Sequence, residues 1–330
     1  MVDILNLEKT KISRNLKGKM ILLYGSAKAG KTTLLSTLPK CLIIATEIGY
    51  NALDNAYVQY VSKWTDFKSI IKQLKNPLAQ EKYEFIGIDT ADFLYEICEK
   101  FICIQNGVEK LGDIPYGQGY ALCKREFSDS LREIAALGYG LCFTSHSAEK
   151  TFKNEKGEDY IRIVPALPQR PYDVVNKMVD VIGYLRAVKN YDTGEERNRL
   201  FFRGDDRFLA GSRFKYMVPY MDYNFMESGS EIYDKLAGAF YDAIEKQADA
   251  NGTEILENGA NLYQEPKTRS FEEAMEEARQ LWVKIATDET KATKVLSIVE
   301  KIFGKPMKIS EATEAQQDLL ELVIEELKEM

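Results

Sequence analysis

The feature that most constrains the fold is a glycine-rich segment between an apolar run and a helical pattern. The run at residues 20–24 is typical of a buried strand, and residues 32–38 have the spacing of a helix. Between them the chain fits G-x-x-x-x-G-K-T, with its glycines at Gly25 and Gly30. A strand, a tight glycine loop and a helix in this order predict an α/β sheet whose loop binds phosphate groups.

The residue types of this segment suggest its ligands. The glycines let the backbone curl so that successive N–H groups point at the phosphates. Lys31 is expected to contact the β- and γ-phosphates, and the Thr32 hydroxyl is expected to bind Mg²⁺. The sequence therefore predicts ATP and Mg²⁺ as cofactors. The predicted nucleotide-binding residues are Gly25, Ser26, Ala27, Lys28, Ala29, Gly30, Lys31, Thr32 and Thr33.

Short apolar runs alternate with longer helical patterns through the first part of the chain. This arrangement is expected for strands that are buried on both faces and joined by crossover helices. The predicted strands are 20–24, 41–45, 85–89, 140–144 and 179–188, followed by 199–203 after a turn at 192–195. The last two predict an antiparallel hairpin that closes a largely parallel sheet.

Composition excludes several classes of function. The chain has a single histidine, too few for a histidine-based metal centre. Its net charge of −7 means that any contact with nucleic acid needs a local basic surface. Its five cysteines form no C-x-x-C pair and are expected to be reduced core thiols of a cytoplasmic protein. No apolar run approaches the ~20 residues that span a bilayer, so no membrane association is expected.

The C-terminal part has a different character. Residues 245–269 are polar and glycine-containing and predict a linker between a core at 1–244 and a separate module at 270–330. Ser270 and Glu273 fit a capping box, and the apolar residues that follow recur on one helical face. Three helices are expected. They either stabilise the protein by packing or bind a protein partner, since an apolar stripe fits both.

A second motif is the apolar strand 85–89, which ends in Asp89 and is expected to hold Mg²⁺ through its water shell. The next residue is Thr90, so the glutamate that follows this aspartate in many ATPase motors is missing here. The catalytic base that activates the attacking water must therefore come from another part of the chain. Glu47 follows the strand 41–45 at the carboxyl edge of the sheet and is the candidate base. A solvated loop glutamate is the alternative.

These motifs together resemble those of RecA-type recombinases. Ala45-Thr46-Glu47 resembles the segment that carries their catalytic glutamate, and Ile88-Asp89-Thr90 resembles their Walker B motif. Residues 17–214 are similar to phage-encoded nucleotide-binding proteins that are minimal RecA-like cores, some of which act as single-strand annealing recombinases. The resemblance implies a RecA-like P-loop NTPase core with a mostly parallel sheet and a terminal β-hairpin, plus a small C-terminal helical module.

The resemblance also assigns roles to residues outside the P-loop. The strand 140–144 is expected between the P-loop and Walker B strands, with Ser145 and His146 at its end sensing the γ-phosphate where RecA has glutamine. In such assemblies ATP lies between subunits, which implies self-assembly into a ring or filament. Arg207 or Arg213 is then expected to complete a neighbour's site. A structural histidine and ordinary surface arginines are the alternatives.

Two loops are implied to bind single-stranded DNA, at 107–120 and at 150–170. Aromatic side chains could stack on bases while cations meet phosphates. The turn at 154–157 predicts a hairpin within the second loop. Both loops also contain acidic groups, so ordinary exposed loops are the alternative. The candidate DNA-binding residues are Tyr116, Tyr120, Lys124, Arg125, Lys150, Lys153, Lys156 and Arg162.

The leading hypothesis is a phage-encoded RecA-like ATPase in the bacterial host cytoplasm, which assembles on single-stranded DNA and promotes annealing or strand exchange. One alternative is a nucleotide-gated binding protein without DNA contact, whose C-terminal helices dock a partner. Another is a nucleotide kinase, although 150–170 is a poor match to an arginine-rich lid. DNA-stimulated ATP hydrolysis distinguishes the first hypothesis from the others.

Overall fold

The computed structural model describes residues 9–189, 194–224, 226–256 and 269–330. Contacts divide the chain into two compact units, with the described residues 9–256 in the first and 269–330 in the second. Each unit has its own hydrophobic core.

The first unit contains the strands of the described chain, which alternate with helices. The strands are β1 (Ile12–Ser13), β2 (Met20–Gly25), β3 (Cys41–Ala45), β4 (Tyr57–Tyr60), β5 (Phe85–Asp89), β6 (Gly140–Lys153), β7 (Asp159–Pro165), β8 (Val181–Lys189), β9 (Glu196–Phe201), β10 (Gly211–Ser212), β11 (Tyr220–Tyr223) and β12 (Ile255–Leu256). The helices of this unit are α1 (Lys31–Ser36), α2 (Trp64–Leu74), α3 (Pro77–Lys82), α4 (Ala91–Gln105), α5 (Gln118–Ala136), α6 (Gln169–Met178) and α7 (Gly229–Asn251).

The main sheet has the strand order β11-β9-β8-β2-β6-β5-β3-β4. The strands from β8 to β4 run parallel to one another, and β9 and β11 add an antiparallel edge. The predicted α/β fold with a mostly parallel sheet is therefore confirmed. The expected position of β6 between the P-loop strand β2 and the Asp89 strand β5 is confirmed as well. Of the turn predicted at 192–195, residues 192 and 193 lie outside the described part of the chain.

The sheet is covered on both faces, as its apolar strands require. In β2, Leu22 and Tyr24 pack in the cluster formed with α2, α4, α5 and α6, whereas Ile21 and Leu23 pack in the cluster formed with α1 and α7. Successive strand residues face opposite layers, and burial of each large apolar side chain contributes about 1.5–3 kcal/mol. The parallel strands are thereby held with their carboxyl ends at one common edge.

Two boundaries differ from the sequence prediction by more than three residues. Strand β6 continues past residue 144 to Lys153, because its outer part pairs with β7 in the hairpin predicted around 154–157. Helix α7 continues through Asn251 into the predicted linker, with Ala248 buried on its inner face, and ends at Gly252 with φ of 62°. Strand β12 then pairs with β1. The remaining linker residues 257–268 lie outside the described chain.

All five cysteines are buried and free, as expected for core thiols: Cys41, Cys98, Cys103, Cys123 and Cys142. Within the described residues, none of the helices combines the length and apolar character that crossing a membrane requires.

The second unit contains three helices, α8 (Phe271–Ile285), α9 (Glu289–Phe303) and α10 (Gln317–Lys328). The predicted capping box is present, since Ser270 N–H donates to Glu273 Oε2 at 2.9 Å and Glu273 N–H donates to Ser270 Oγ at 3.2 Å. An apolar groove of about 410 Å³ opens between α8, α9 and residues 307–310. The partner-binding role of this module stays a prediction.

Candidate active site

The glycine-rich loop follows the carboxyl end of β2 and turns directly into α1. Gly25 lies against β8, where a Cβ atom would be only 2.3 Å from the carbonyl oxygen of Leu185. Lys28 and Gly30 both have left-handed backbone conformations, with φ of 63° and 92°. A glycine at position 30 adopts this conformation without the strain that a side chain brings. Glycine is therefore needed for a different reason at each position, namely close packing at position 25 and backbone conformation at position 30.

Gly25→Ala is expected to lower the free energy of unfolding by about 1–3 kcal/mol, because the new methyl group must displace the backbone of β8. Denaturant unfolding of the two proteins measures the difference. Gly211→Ala is the matched control, since a Cβ atom there meets no described residue within 4 Å although Gly211 also belongs to a strand paired with β8. Equal losses in the two variants would contradict the packing explanation.

Lys31 lies at the start of α1 with its ammonium group turned back into the loop. Its Nζ donates to the carbonyl oxygens of Gly25 and Ser26 at 3.0 and 2.9 Å. Burial lowers the pKa of Lys31, against the opposing charges of nearby carboxylates, chiefly Asp89. Phosphate oxygens are stronger acceptors than carbonyls for such a donor. The loop thus concentrates positive charge where phosphates are expected.

Asp89 ends β5 beside this loop and is held by two hydroxyl groups. Its Oδ2 accepts from Thr32 Oγ1 at 2.7 Å, and its Oδ1 accepts from Thr144 Oγ1. A hydroxyl next to a carboxylate fits Mg²⁺, which prefers oxygen ligands and takes few of them from the protein. Among the described residues no group of three or more His, Cys, Asp or Glu side chains forms a metal cage. Thr32 and Asp89 are therefore the residues that would hold Mg²⁺ beside bound phosphates.

Glu47 follows β3 and lies within hydrogen-bonding distance of two neighbouring elements. Its Oε1 accepts from Thr90 Oγ1 at 3.0 Å and lies 3.1 Å from His146 Nε2. The backbone N–H of His146 donates to Asp92 Oδ2 at 3.1 Å, and burial raises the pKa of Asp92. Glu47, Thr90 and His146 line one pocket of about 340 Å³ together with the loop, Thr32 and Asp89. Segments at the ends of β2, β3 and β5 and within β6 thus bring Lys31, Glu47 and His146 together, whereas the predicted Arg207 and Arg213 do not line this pocket.

Thr144 was not predicted as part of this site, and Asp92 was considered only as the alternative base to Glu47. Thr144 carried one usable signal, because it is a polar residue at the end of the apolar run 140–144. Asp92 carried a weaker signal, since an acidic residue in the first turn of a helix is common.

The family of the chain follows from comparison with known proteins. A family model described as AAA domain matches residues 17–214. The chain belongs to the AAA domain family. Over 346 aligned residues it is also 27% identical to the SPbeta prophage-derived uncharacterized protein YorG of Bacillus subtilis (strain 168), covering 100% of this chain and 98% of that protein. Family and pocket together support nucleotide binding and ATPase activity.

In the AAA domain protein, the two arginines predicted to complete a neighbour's site lie in different surroundings. Arg207 is 82% exposed at the side chain and pairs only with Asp205 among the described residues, two positions away in the same loop. Arg213 donates to Asp180 and to the carbonyl oxygens of Lys177 and Met178. Because Asp180 also accepts the N–H of the first β2 residue, Arg213 lies near the amino end of β2, ~17 Å along the strand from the P-loop.

The first predicted DNA loop is only partly free in the AAA domain protein. Tyr116 is 98% exposed, with φ of 59°. Tyr120 lies on α5 beneath the guanidinium of Arg170, whose Cζ is 4.0 Å from the ring centroid. Lys124 faces Asp173 of α6 at 3.9 Å, and Arg125 remains largely exposed beside Asp129. The structure therefore leaves Tyr116 and Arg125 more available to a ligand than Tyr120 and Lys124.

The second predicted loop is the β6–β7 hairpin. Directly opposed residues include Lys150 with Arg162 and Phe152 with Tyr160. Opposed residues and those two positions apart share a face, so these four side chains lie on the same side of the hairpin. The Phe152 and Tyr160 rings are 5.9 Å apart between centroids. Lys153 lies on the opposite face, and Lys156 lies in the tip turn.

Proposed function

We propose that this AAA domain protein is an ATPase of the RecA-like recombinase type that binds single-stranded DNA and hydrolyses ATP to ADP and phosphate. The observation that carries the proposal is the position of Glu47, which shares one pocket with Lys31, Thr32 and Asp89 although it comes from a different strand than Asp89. A candidate base beside a P-loop and a Walker B aspartate suits phosphoryl transfer to water. The prophage origin of the YorG relative supports a phage-encoded protein.

In the proposed reaction, water attacks the γ-phosphorus of ATP while Glu47 accepts the proton that the water loses. The bond between the γ-phosphorus and the bridging oxygen breaks, and ADP leaves. Lys31 neutralises the negative charge that develops on the phosphate oxygens. Mg²⁺ bound between Thr32, Asp89 and the phosphates would contribute further charge neutralisation.

An arginine from a neighbouring copy of the chain is proposed to complete this charge cage. The geometry favours Arg207, whose guanidinium is exposed and, within the described part of the chain, pairs only with Asp205 of its own loop. Arg213 is the weaker candidate, because three acceptors of its own chain already bind it. If Arg207 acts in trans, the Arg207→Ala protein should lose ATP turnover but still bind ATP. Mixing it with an inactive Lys31→Ala protein should then restore part of the activity.

DNA binding is proposed on the face of the β6–β7 hairpin that carries Lys150, Phe152, Tyr160 and Arg162. On this face the two cations form one cross-strand pair and the two aromatic rings form the next pair. Adjacent cations and aromatic rings match the requirements of a single strand, whose bases stack while its phosphates are neutralised. Arg162 is the less available of the two cations, because its Nη2 donates to the carbonyl oxygen of Phe208 at 3.4 Å. The hairpin continues directly from the part of β6 that reaches the nucleotide pocket at His146. The test of the proposed function is the rate of ATP hydrolysis with and without single-stranded DNA. A rate that DNA does not change would contradict the recombinase-type proposal.

The hairpin face is tested by comparing two variants that lose the same charge. Lys150→Ala/Phe152→Ala is expected to weaken single-strand binding about tenfold or more, since it removes a phosphate contact and a stacking ring. Thr151→Ala/Lys153→Ala alters the opposite face and is expected to weaken binding less. Titration of a fluorescent oligonucleotide at several salt concentrations measures both affinities. Loss of Lys150 should reduce by about one the slope of the logarithm of the binding constant against the logarithm of the salt concentration. Equal effects of the two variants would exclude a specific face.

A further inference from the structure

Thr90 departs from the usual behaviour of a residue at the start of a helix. It is the N-cap residue of α4, and threonine in this position commonly accepts a hydrogen bond from a backbone N–H of the first turn. Here the side chain makes no such bond, and its hydroxyl donates to Glu47 Oε1 at 3.0 Å. The hydroxyl therefore binds Glu47, which follows β3, and not the backbone of its own helix.

The backbone that carries this hydroxyl is fixed by Thr46. Thr46 Oγ1 accepts the N–H of Thr90 at 2.9 Å and donates to the carbonyl oxygen of Thr90 at 3.1 Å. The N–H of Thr46 donates to the carbonyl oxygen of Asp89 at 2.7 Å. Thr46 and Thr90 are only 8% and 3% exposed. The position of the Thr90 hydroxyl is thus set by a buried hydrogen-bond network.

His146 approaches the same oxygen of Glu47. Its Nε2 lies 3.1 Å from Glu47 Oε1, and it donates when that nitrogen carries the proton. The backbone of His146 is held by Asp92, and its ring meets the edge of Phe93 at 6.5 Å between centroids. Two side chains therefore converge on Oε1, whereas Oε2 has no hydrogen-bond partner among the described residues.

We propose that Thr90 and His146 are positioning residues that hold Glu47 through Oε1 and leave Oε2 to accept the proton of the attacking water. This inference rests on the proposed ATPase function. Two bonds to one oxygen stop the carboxylate from rotating, and a base that is already oriented reacts with a lower entropic barrier. Thr90 occupies the position after Asp89 where a glutamate would stand in many ATPase motors. Its hydroxyl instead positions a glutamate that the neighbouring strand supplies.

The test compares Thr90→Val with Thr90→Ser, because valine keeps the shape of threonine without the hydroxyl and serine keeps the hydroxyl. Thr90→Val is expected to lower kcat about tenfold or more, the scale of one hydrogen bond to a charged group, with little change in the Kd for ATP. Thr90→Ser is expected to retain most of the parent protein's kcat. His146→Leu removes the other donor and is expected to lower kcat in the same way. It also provides the test if Thr90→Val does not fold.

Introducing Thr90→Val into Glu47→Gln separates positioning from a general structural effect. If Thr90 acts through Glu47, the second substitution should cost little further rate, because the oriented base is already lost. If Glu47→Gln alone hydrolyses ATP normally, the proposed base fails, and this inference fails with it. If Glu47→Gln is slow but both donor variants match the parent, only the positioning role is overturned. A faster Thr90→Val protein also overturns it, because the hydroxyl would then restrain Glu47 in an unproductive position.

Discussion

Lys31→Ala is expected to abolish detectable ATP turnover and to weaken ATP binding strongly. The ammonium group of Lys31 lies inside the P-loop, where it donates to the carbonyl oxygens of Gly25 and Ser26. Among the described residues, no other lysine or arginine that lines the pocket makes such hydrogen bonds to the loop. Loss of Lys31 removes a charge-assisted contact to the β- and γ-phosphates in the ground state and in the transition state. Isothermal titration with ATP and a steady-state hydrolysis assay measure the two effects.

The Lys31→Ala protein should still fold, which keeps the result interpretable. Burial lowers the pKa of Lys31, so the folded protein holds this ammonium group at an electrostatic cost that alanine removes. Lys40→Ala is the matched control, because it deletes the same charge from an exposed pair with Glu84 away from the pocket. Normal kcat and KM in Lys31→Ala would refute the assignment of this loop as the phosphate-binding site.

Glu47→Gln is expected to slow ATP hydrolysis about a hundredfold or more while ATP binding is retained. The amide keeps the size of the side chain but cannot accept the proton of the attacking water, and general base catalysis typically contributes a factor of this order. A single-turnover assay with preformed protein–ATP complex isolates the chemical step from binding and product release.

Asp92→Asn is the informative companion to Glu47→Gln. Asp92 is the other carboxylate close to His146, but it accepts the backbone N–H of that residue and does not line the pocket described above. We expect Asp92→Asn to retain more activity than Glu47→Gln. Normal turnover in Glu47→Gln together with a slow Asp92→Asn protein would place the base on α4 and not after β3.

The central sheet was predictable because its strands are buried on both faces and so form nearly continuous apolar runs. The predicted strands 41–45 and 85–89 coincide with β3 and β5. The P-loop was predictable because close packing at Gly25 and the left-handed backbone at Gly30 both require glycine at a fixed spacing. Strand-end position also indicated that Glu47 and Asp89 would approach each other, since parallel strands end at one edge.

Other parts of the site depend on pairings that the sequence does not display. The outer half of β6 is polar and charged, so the predicted strand ended at residue 144, and the turn at 154–157 predicted a hairpin without showing that its first strand continues from β6. Arg213 follows the terminal hairpin in sequence, yet pairing of β10 with the first residues of β8 carries it to the amino end of the sheet. The helical character of residues 245–251 was hidden because polar residues form the solvated face of α7.

Strand β6 pairs with β2 and β5 in its inner part and with β7 in its outer part, which restricts where residues can be inserted into it. Its inner part is fixed in register by β2 and β5, whereas its outer part presents the hairpin side chains. Inserting one residue after His146 would turn Lys150 and Phe152 to the side now occupied by Lys153, because side-chain direction alternates along a strand. Insertions there preserve the aromatic and cationic face only in even numbers. The tip at 154–157 is free of this parity rule, so it is the part of the hairpin in which related chains can diverge in length while keeping the same surface.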